Sequence, residues 1–419
     1  MRLTVVVILM LCSVGAAFAD KLLIFMDQDQ TDHLKAYGTA FFALTRGVGV
    51  DWLLNYRGGS FMMDYVETLA QEARLRGVSG VRIRESEAAQ ILAEMADKNM
   101  DAVRLEKAPK IAVYTPPDNR PWDDAVTLAM AYAEIPYDTV WDEEVLTGKL
   151  SNYDWIHLHH EDFTGQYGKF YASYGQQLWY RQQQAQYEAA ARKLGFRKVS
   201  EEKRAVTQAI QAYMTNGGFM FAMCSATDTF DLALASEGTD IVDSAYDGDP
   251  PAPGCQERLD FSKCLAFEGF KLVMDPLEYE FSDIDVSPRA AAQVQSPETD
   301  FFSLFEFSAK YDPVPTMLTQ DHTALVKGFL GQTTAFNRRV LKPAVTVLGE
   351  VEGTDEVKYI HGNIGKGTFT FYGGHDPEDY QHLVGDPPTD LALHKNSPGY
   401  RLILNNVLFP AAKQQKRKT

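Results

Sequence analysis

The sequence predicts an α/β fold in which helices cover both faces of a doubly wound, mostly parallel sheet. Short apolar runs alternate with segments whose apolar residues have helical spacing, which is the pattern of β-α-β units. Phe219–Met223 is wholly apolar, as expected of a strand that is buried on both faces. A content of 45% hydrophobic and 12% aromatic residues is enough to fill a large core.

Residues 1–19 have the pattern of a secretory signal peptide. Arg2 supplies a positive charge, an apolar run covers 4–14, and Ala17 and Ala19 place small residues where a signal peptidase reads. We therefore predict cleavage after Ala19 and a periplasmic or secreted protein. The run is shorter than the roughly 20 residues that a membrane helix needs, which predicts no membrane span. The net charge of −17 argues against nucleic acid as a partner.

Residues 20–107 are expected to form an N-terminal α/β lobe. Short apolar runs bounded by polar or glycine-rich turns predict strands at 21–26, 50–56 and 80–83. Helical spacing predicts helices at 31–44, 64–76 and 86–97. The alternation of the two element types predicts a parallel sheet covered by helices in this lobe.

Residues 108–235 and 344–410 repeat this alternation and are expected to form the core of the fold. Strands are predicted at 110–115, 137–141, 153–159, 219–223, 344–351, 357–360 and 368–372. Helices are predicted at 122–134, 174–214, 226–234 and 397–408. The order of these elements is that of a doubly wound sheet, in which ligands bind at the carboxyl ends of the strands.

Residues 236–343 interrupt the alternation and are expected to be an irregular insertion or cap, while 411–419 are a basic tail. Cys255 and Cys264 lie close together in a loop rich in Pro, Gly and Asp. We therefore expect a disulfide between them in an oxidising compartment. Cys224 then remains as a single thiol, which suggests a functional role in an exported protein.

Cys224 follows the apolar run at 219–223 and precedes a predicted helix, so a strand delivers a thiol to a sharp strand-to-helix turn. The N–H groups at the helix start, beginning with Ser225, favour a thiolate and can bind substrate or an oxyanion. These features make Cys224 a candidate nucleophile. The alternative is a structural thiol, because free cysteines are often buried.

His375 stands just after another predicted strand, in the sequence Gly-Gly-His-Asp-Pro-Glu. A base for Cys224 must be near the thiol in space and distant in sequence, and His375 meets both conditions. Glu378 or Asp376 can then orient its imidazole. The alternative is a glycine-rich turn that carries a surface histidine.

A third group of candidates, His157, His159, His160 and Glu161, lies where the strand predicted at 153–159 ends. His157 and His159 are two residues apart and therefore point to one face of the sheet. The group can line a substrate pocket, or it can bind zinc through His157, His159 and Glu161. The third possibility is that these side chains only pack against loops. No other cofactor is predicted.

The stretches around Cys224 and His375 resemble the class I glutamine amidotransferase-like superfamily, especially its trehalose-utilisation-type branch. The resemblance covers roughly 108–235 and 344–409. It implies a Cys-His-Glu triad that hydrolyses or transfers amide nitrogen, with Cys224 as the nucleophile and His375 as the base.

Some positions differ from the active pattern of that superfamily. Ala222 and Ala226 stand where its enzymes have the glycines of the nucleophile turn, and Pro377 stands where they have the acid. The whole chain also resembles exported bacterial proteins that carry the label asparagine synthetase B, mainly through 29–38, 50–61 and 158–165.

From these observations we expect an exported, amidotransferase-like hydrolase that acts on an amide or related substrate through Cys224 and His375. Two alternatives remain open. One is a binding protein without catalytic activity for a sugar, a peptide or a cell-wall fragment. The other is a metal-dependent hydrolase built on His157 and His159.

Overall fold

Two β-sheets, with helices packed on them, make up the described part of the chain, and the predicted α/β fold class is confirmed. The structure is a computed structural model that describes residues 20–117, 123–286, 296–305, 308–312, 314–318 and 323–412. The predicted signal peptide at 1–19 and most of the predicted tail, 413–419, lie outside these residues. Within the described ranges, no helix has both the length and the apolar character to cross a membrane.

The N-terminal lobe contains the smaller sheet. Its strands are Lys21–Ile24 (β1), Val50–Leu54 (β2), Ser60–Asp64 (β3), Val81–Ile83 (β4) and Asp101–Leu105 (β5). They lie in the order β4-β1-β3-β2-β5, and every neighbouring pair is antiparallel. The expectation of a parallel sheet in this lobe is therefore wrong. Residues 55–59 alone connect β2 to β3, and so short a connection can join only antiparallel neighbours.

Three helices pack on this sheet, namely His33–Thr45 (α1), Glu67–Leu75 (α2) and Glu85–Ala96 (α3). Asp32 caps the start of α1, because its side chain accepts a hydrogen bond from the Lys35 N–H at 2.9 Å. Tyr37 of α1 packs edge-on against Trp52 and Phe61, with ring centroids 6.0 and 5.3 Å apart. These contacts fix α1 against the inner face of the lobe.

The larger sheet forms the core of the protein. Its strands are Ile111–Tyr114 (β6), Asp138–Val140 (β7), Trp155–Leu158 (β8), Phe219–Met223 (β9), Phe301–Leu304 (β10), Leu325–Lys327 (β11), Phe336–Asn337 (β12), Thr346–Glu350 (β13), Glu356–Ile364 (β14) and Gly367–Tyr372 (β15). The order of the described strands is β11-β10-β13-β14-β15-β9-β8-β6-β7, with β12 paired to β14.

The five strands from β15 to β7 run parallel, and the remaining described strands extend the sheet on the β15 side as antiparallel neighbours. Numbered along the chain, the parallel strands have the spatial order 2-1-3-4-5. This is a doubly wound order in which the strand sequence reverses between β6 and β8.

Helices cover both faces of this sheet. They are Ala125–Tyr132 (α4), Asp142–Leu146 (α5), Tyr171–Tyr174 (α6), Leu178–Lys193 (α7), Val199–Thr215 (α8), Ala226–Ala235 (α9), Ser244–Asp247 (α10) and Pro398–Leu408 (α11). The side chains of alternate residues in β9 point to opposite faces of the sheet. Phe221 and Met223 pack with α4 and α11, whereas Met220 and Ala222 pack with α8 and α9.

The N-terminal lobe and the core share one hydrophobic interior, since residues of α1, α4 and α11 belong to a single cluster. The hydroxyl of Tyr37 donates a hydrogen bond to Asn405 Oδ1 at 2.5 Å across this junction. A methyl group at Gly38 would lie only 1.8 Å from the carbonyl oxygen of Ala133. The glycine therefore allows α1 to approach the end of α4 closely.

The predicted insertion, 236–343, contributes strands β10, β11 and β12 to the large sheet, and its other described residues are mostly irregular. The disulfide predicted between Cys255 and Cys264 is not formed, because both are buried free thiols in the structure. The Cys264 thiol instead contacts the carbonyl oxygen of Asp231 at 3.4 Å. The Asp231 carboxylate accepts backbone hydrogen bonds from residues 265–267 and so fastens the insertion to α9.

Candidate functional site

A small cavity lies at the carboxyl ends of β6 and β8, where the order of the parallel strands reverses. Its volume is about 70 Å³, and its wall includes Tyr114, Asp124, His159, His160 and Glu161. In doubly wound folds the crevice at this reversal is the usual ligand site, because the flanking connections diverge to opposite faces of the sheet. Three of the predicted site residues therefore line the cavity that the topology favours.

His157 is fully buried on β8, and both of its ring nitrogens already have partners. Nδ1 lies 3.1 Å from the carbonyl oxygen of Phe221, and Nε2 lies 3.0 Å from Asp124 Oδ2. A metal ligand needs a nitrogen lone pair directed at the ion. His157 is therefore better suited to holding Asp124 than to binding a metal or substrate itself.

Asp124 connects the start of α4 to two histidines. Its carboxylate accepts the backbone N–H groups of Val126 and Thr127, which caps the helix, and it also lies 3.2 Å from His159 Nδ1. Burial opposes its ionisation, but the imidazoles of His157 and His159 hold the pKa of Asp124 well below its usual range. The carboxylate is thus charged and fixes the orientation of His159.

His159, His160 and His375 form what we call the histidine cluster. One ring nitrogen from each lies within 4.8 Å of the corresponding nitrogens of the other two. The His375 ring centroid is 4.8 Å from that of His159 and 5.9 Å from that of His160. The cluster joins the end of β8 to the end of β15, which are separated by β9 in the sheet.

Two imidazoles of the cluster, those of His160 and His375, are neutral. Burial, followed by the proximity of His159, lowers the pKa of His160 to about 3. The same two causes hold the pKa of His375 well below its usual range. Only neutral imidazole can donate a lone pair to a metal, so these environments favour ligation over protonation.

His382 stacks on the outer side of His375, with ring centroids 4.7 Å apart and an interplanar angle of 2°. It lies between two carboxylates, 2.7 Å from Asp123 and 2.8 Å from Asp379. The hydrogen bond to Asp123 is the main cause that raises the pKa of His382 to about 9. A charged imidazolium therefore supports the neutral ring of His375.

Glu161 lines the same cavity, and Tyr187 holds its carboxyl group. The Tyr187 hydroxyl donates to Glu161 Oε2 at 3.3 Å. Burial, partly offset by the charge of Lys203, raises the pKa of Glu161 to about 7. Glu161 does not join His157 and His159 in a group of possible metal ligands. His159 instead belongs to two such groups, one with His160 and His375 and one with Asp124 and His157.

Cys224 stands at the turn from β9 into α9 with a φ of 53°. This left-handed conformation is costly for a residue other than glycine and is found at nucleophile turns in other α/β proteins. The side chain is only 3% exposed. Burial raises the pKa of its thiol to about 11, although backbone N–H groups of Gln332, Ser225 and Thr333 oppose the shift.

The residues predicted to assist Cys224 have other contacts. The ring of His375 contacts the rings of His159, His160 and His382. Glu378 pairs with His394 Nδ1 at 3.0 Å. Ser225 directs its backbone N–H toward the thiol, while its hydroxyl is buried with no hydrogen-bond partner among the residues described.

Asp376, the other acid considered for His375, organises its own loop. Its Oδ2 accepts hydrogen bonds from the hydroxyls of Tyr400 at 2.7 Å and Thr389 at 2.9 Å, and its Oδ1 accepts the Glu378 N–H. These bonds hold the segment after His375 against α11. Asp376 therefore acts on the position of His375 through the backbone.

An acidic loop at 240–249 surrounds a lysine. Lys198 Nζ lies 2.6 Å from Asp240, 2.9 Å from Asp247 and 2.8 Å from Asp249. Three carboxylates that converge in this way resemble the start of a cation site, but here the ammonium group takes the central position. Each carboxylate neutralises part of its charge and holds the loop against the start of α8.

No known protein family and no curated protein matches the chain. Two solved structures of cytoplasmic proteins from Salmonella typhimurium are similar to it at 10% and 11% identity, each covering 73% of this chain and 100% of its own, with TM-scores of 0.35. A GH42 beta-galactosidase from G. stearothermophilus is similar at 13% identity over 64% of this chain and 28% of its own, with a TM-score of 0.28. Likeness at this level carries no conclusion about activity, and the resemblance to amidotransferase-like proteins stays a prediction.

Proposed function

We propose that this protein is a metal-dependent hydrolase whose divalent cation, zinc or a similar ion, binds His159, His160 and His375. The observation that carries the proposal is the convergence of one nitrogen from each of these residues within 4.8 Å. A zinc ion about 2.1 Å from three nitrogens needs them roughly 3.4 Å apart, so a small rotation of the rings is enough. Three protein ligands leave a fourth position for water, as in catalytic zinc sites.

The surroundings of the histidine cluster support this proposal. Asp124 lies 3.2 Å from His159 Nδ1, which leaves Nε2 of that ring available for a metal. A carboxylate behind a ligating histidine is the usual partner in such sites, where it fixes the tautomer and raises the basicity of the ring. His382 stacks on the outer side of His375, and its positive charge helps to keep that imidazole neutral.

The cavity beside the cluster supplies the remaining parts of a hydrolytic site. A bound cation activates water and polarises a carbonyl group. Asp124 and Glu161 both line this cavity, and since Asp124 contacts His157 and His159, Glu161 is the carboxyl group that can take a proton from water and return it to the leaving group. In this reaction a C–O bond forms to the carbonyl carbon of an amide or ester, and the bond to the leaving nitrogen or oxygen breaks.

The test is the metal content of tag-free protein, measured by plasma mass spectrometry after gel filtration. We expect about one equivalent of a divalent metal in the native protein and a large loss in His160→Ala and His375→Ala. His394→Ala is the matched control, because His394 lies outside the cluster and pairs with Glu378. Full metal content in both cluster variants would refute the proposal, as would full hydrolytic activity in metal-free protein.

A second candidate function is hydrolysis of an amide by the Cys224 thiol, as the amidotransferase-like resemblance implies. The left-handed backbone at Cys224 and the N–H groups around its sulfur favour this reading. Cys224→Ala separates the two functions. The metal proposal expects this variant to keep its metal and its activity, whereas a thiol nucleophile requires the activity to disappear while the metal content stays the same.

A further inference from the structure

A second and much larger cavity lies at the opposite edge of the core sheet, and we call it the amino-end groove. Its volume is about 1250 Å³, and its wall includes Gly217 and Gly218 before β9 and Lys366 just before β15. The histidine cluster lies at the other ends of these strands. The groove is therefore separate from the proposed metal site and needs its own explanation.

His361 of β14 provides an incomplete hydrogen-bonding group in the wall of this groove. The residue is 2% exposed. Its Nδ1 lies 2.8 Å from the Thr370 hydroxyl, whereas its Nε2 is buried with no hydrogen-bond partner among the described residues. Leaving a buried polar group unsatisfied destabilises the free protein. A ligand that reaches His361 can recover part of that energy.

The wall near His361 combines neutral polar groups with an aromatic surface. Thr346 of β13 pairs with His361, and Asn363, two residues further along β14, pairs with Thr368 of β15. The ring of Phe409 contacts His361 edge-on, with centroids 5.8 Å apart. Hydroxyl, amide and imidazole groups beside an aromatic ring match a molecule with many hydroxyls and one apolar face.

Charge argues for an uncharged ligand. Three acidic side chains, Asp101, Asp154 and Asp312, line the groove together with Lys310 and Lys366, so the acidic and basic side chains differ by one charge. Burial lowers the pKa of His361 to about 3, so the imidazole does not offer a positive charge. A strongly acidic or basic ligand would find no concentrated opposite charge in this wall.

We propose that the amino-end groove is a binding site for an uncharged oligosaccharide, with His361, Asn363 and Thr346 among the groups that contact its hydroxyls. The volume exceeds that of a single sugar and accommodates several linked rings with ordered water. The sugar's apolar face packs near Phe409. This inference does not depend on the metal site or on either proposed reaction.

The test uses calorimetric titration of the mature chain with maltotriose, cellotriose, xylotriose and N-acetylated chitotriose. We expect at least one of them to bind with a stoichiometry of one. His361→Phe should weaken that binding by roughly five- to tenfold, because one hydrogen bond is lost. Asn363→Ala is a second variant at an exposed position of the same wall, and it should weaken binding without changing the melting temperature of the free protein.

His160→Ala serves as the control, since it removes a residue of the distant histidine cluster and should leave oligosaccharide affinity unchanged. The inference is overturned if none of the four oligosaccharides binds. It is also overturned if His361→Phe and Asn363→Ala both bind the oligosaccharide as tightly as the unchanged protein does. Binding of triglutamate or trilysine in preference to the sugars would equally overturn it.

Discussion

Replacing Lys203 tests whether the stability of the fold depends on the buried ion pair between Lys203 and Asp142. The side chains of Lys203 and Asp142 are 0% and 1% exposed, and Lys203 Nζ lies 2.9 and 3.0 Å from the two carboxylate oxygens. The same ammonium group donates a hydrogen bond to the Tyr114 hydroxyl at 3.0 Å and lies 3.7 Å from the centroid of the Trp141 ring. Methionine has nearly the same length and volume, so Lys203→Met removes the charge and leaves little empty space.

The expected cost follows from the charge that is left behind. In Lys203→Met the Asp142 carboxylate remains buried with no cation in contact, and breaking such a pair from one side costs roughly 3–5 kcal/mol. At roughly 2 cal/mol/K per residue, a chain of this length unfolds with an entropy near 0.8 kcal/mol/K. The melting temperature should therefore fall by about 4–6 °C.

Calorimetry on three variants checks this reasoning. Lys203→Met and Asp142→Asn should each be destabilised, because each leaves one buried group without its partner. The double variant should regain at least half of the loss, since no uncompensated charge remains. A drop of less than about 1 °C in both single variants, or a double variant whose losses simply add, would show that water already solvates this pair.

Four further predictions follow from the contacts described above. Asp124→Asn keeps a good helix cap but should lower metal affinity about 10- to 100-fold, measured by competition with a chelator. Burial lowers the pKa of Lys358 to about 8, so the free energy of unfolding should rise as pH increases from about 8 to 10, and Lys358→Met should lose that rise in urea titrations at each pH. Gly38→Ala should cost about 1–3 kcal/mol in the same titrations, since its methyl group meets the backbone of Ala133. N-terminal sequencing of exported protein should begin at Asp20.

The sign of the Lys358 prediction follows from its depressed pKa. The folded state releases the proton at about pH 8, whereas the unfolded chain holds it to its ordinary value of about 10.4. Between these values the unfolded state binds more protons, so raising the pH favours folding. A native curve that stays parallel to that of Lys358→Met across this window would contradict the assignment.

The core of the fold was predictable because its signals are local. Parallel strands buried on both faces have continuous apolar runs, and β9 shows such a run in Phe219–Met223. The rule that ligands bind at carboxyl ends then placed His159 and His375 at one edge of the sheet. Their convergence needed only the order of the strands, which the alternation of elements already suggested.

The partners of these residues were not predictable, because they come from distant loops. Asp124 caps a helix that follows another strand, and His382 reaches His375 from within a polar loop. Glu378 is close to His375 in sequence yet pairs with His394. Which histidine Glu378 contacts depends on how the loop after β15 folds over α11. Hydrophobic periodicity in the sequence does not predict the path of that loop. The one available signal was the density of Asp and His residues in that loop.

The antiparallel N-terminal sheet escaped prediction for a different reason. Strand β3 was not predicted, because Ser60–Asp64 contains no β-branched residue and stands between a predicted turn at 57–60 and a predicted helix at 64–76. Without that strand the remaining elements alternate between strand and helix and suggest a parallel sheet. The chain reverses direction between β2 and β3 through a connection with left-handed backbone, in which Arg57 and Gly58 have φ values of 45° and 81°.

Lys198, at the centre of the acidic loop, takes the place that a bound divalent cation would have. A calcium ion in the same place would leave whenever the surrounding concentration fell below its dissociation constant, and the loop would loosen with it. Lys198 is attached to the chain, so dilution and chelators cannot remove it. This part of the molecule therefore needs no dissolved divalent cation to hold its three carboxylates together.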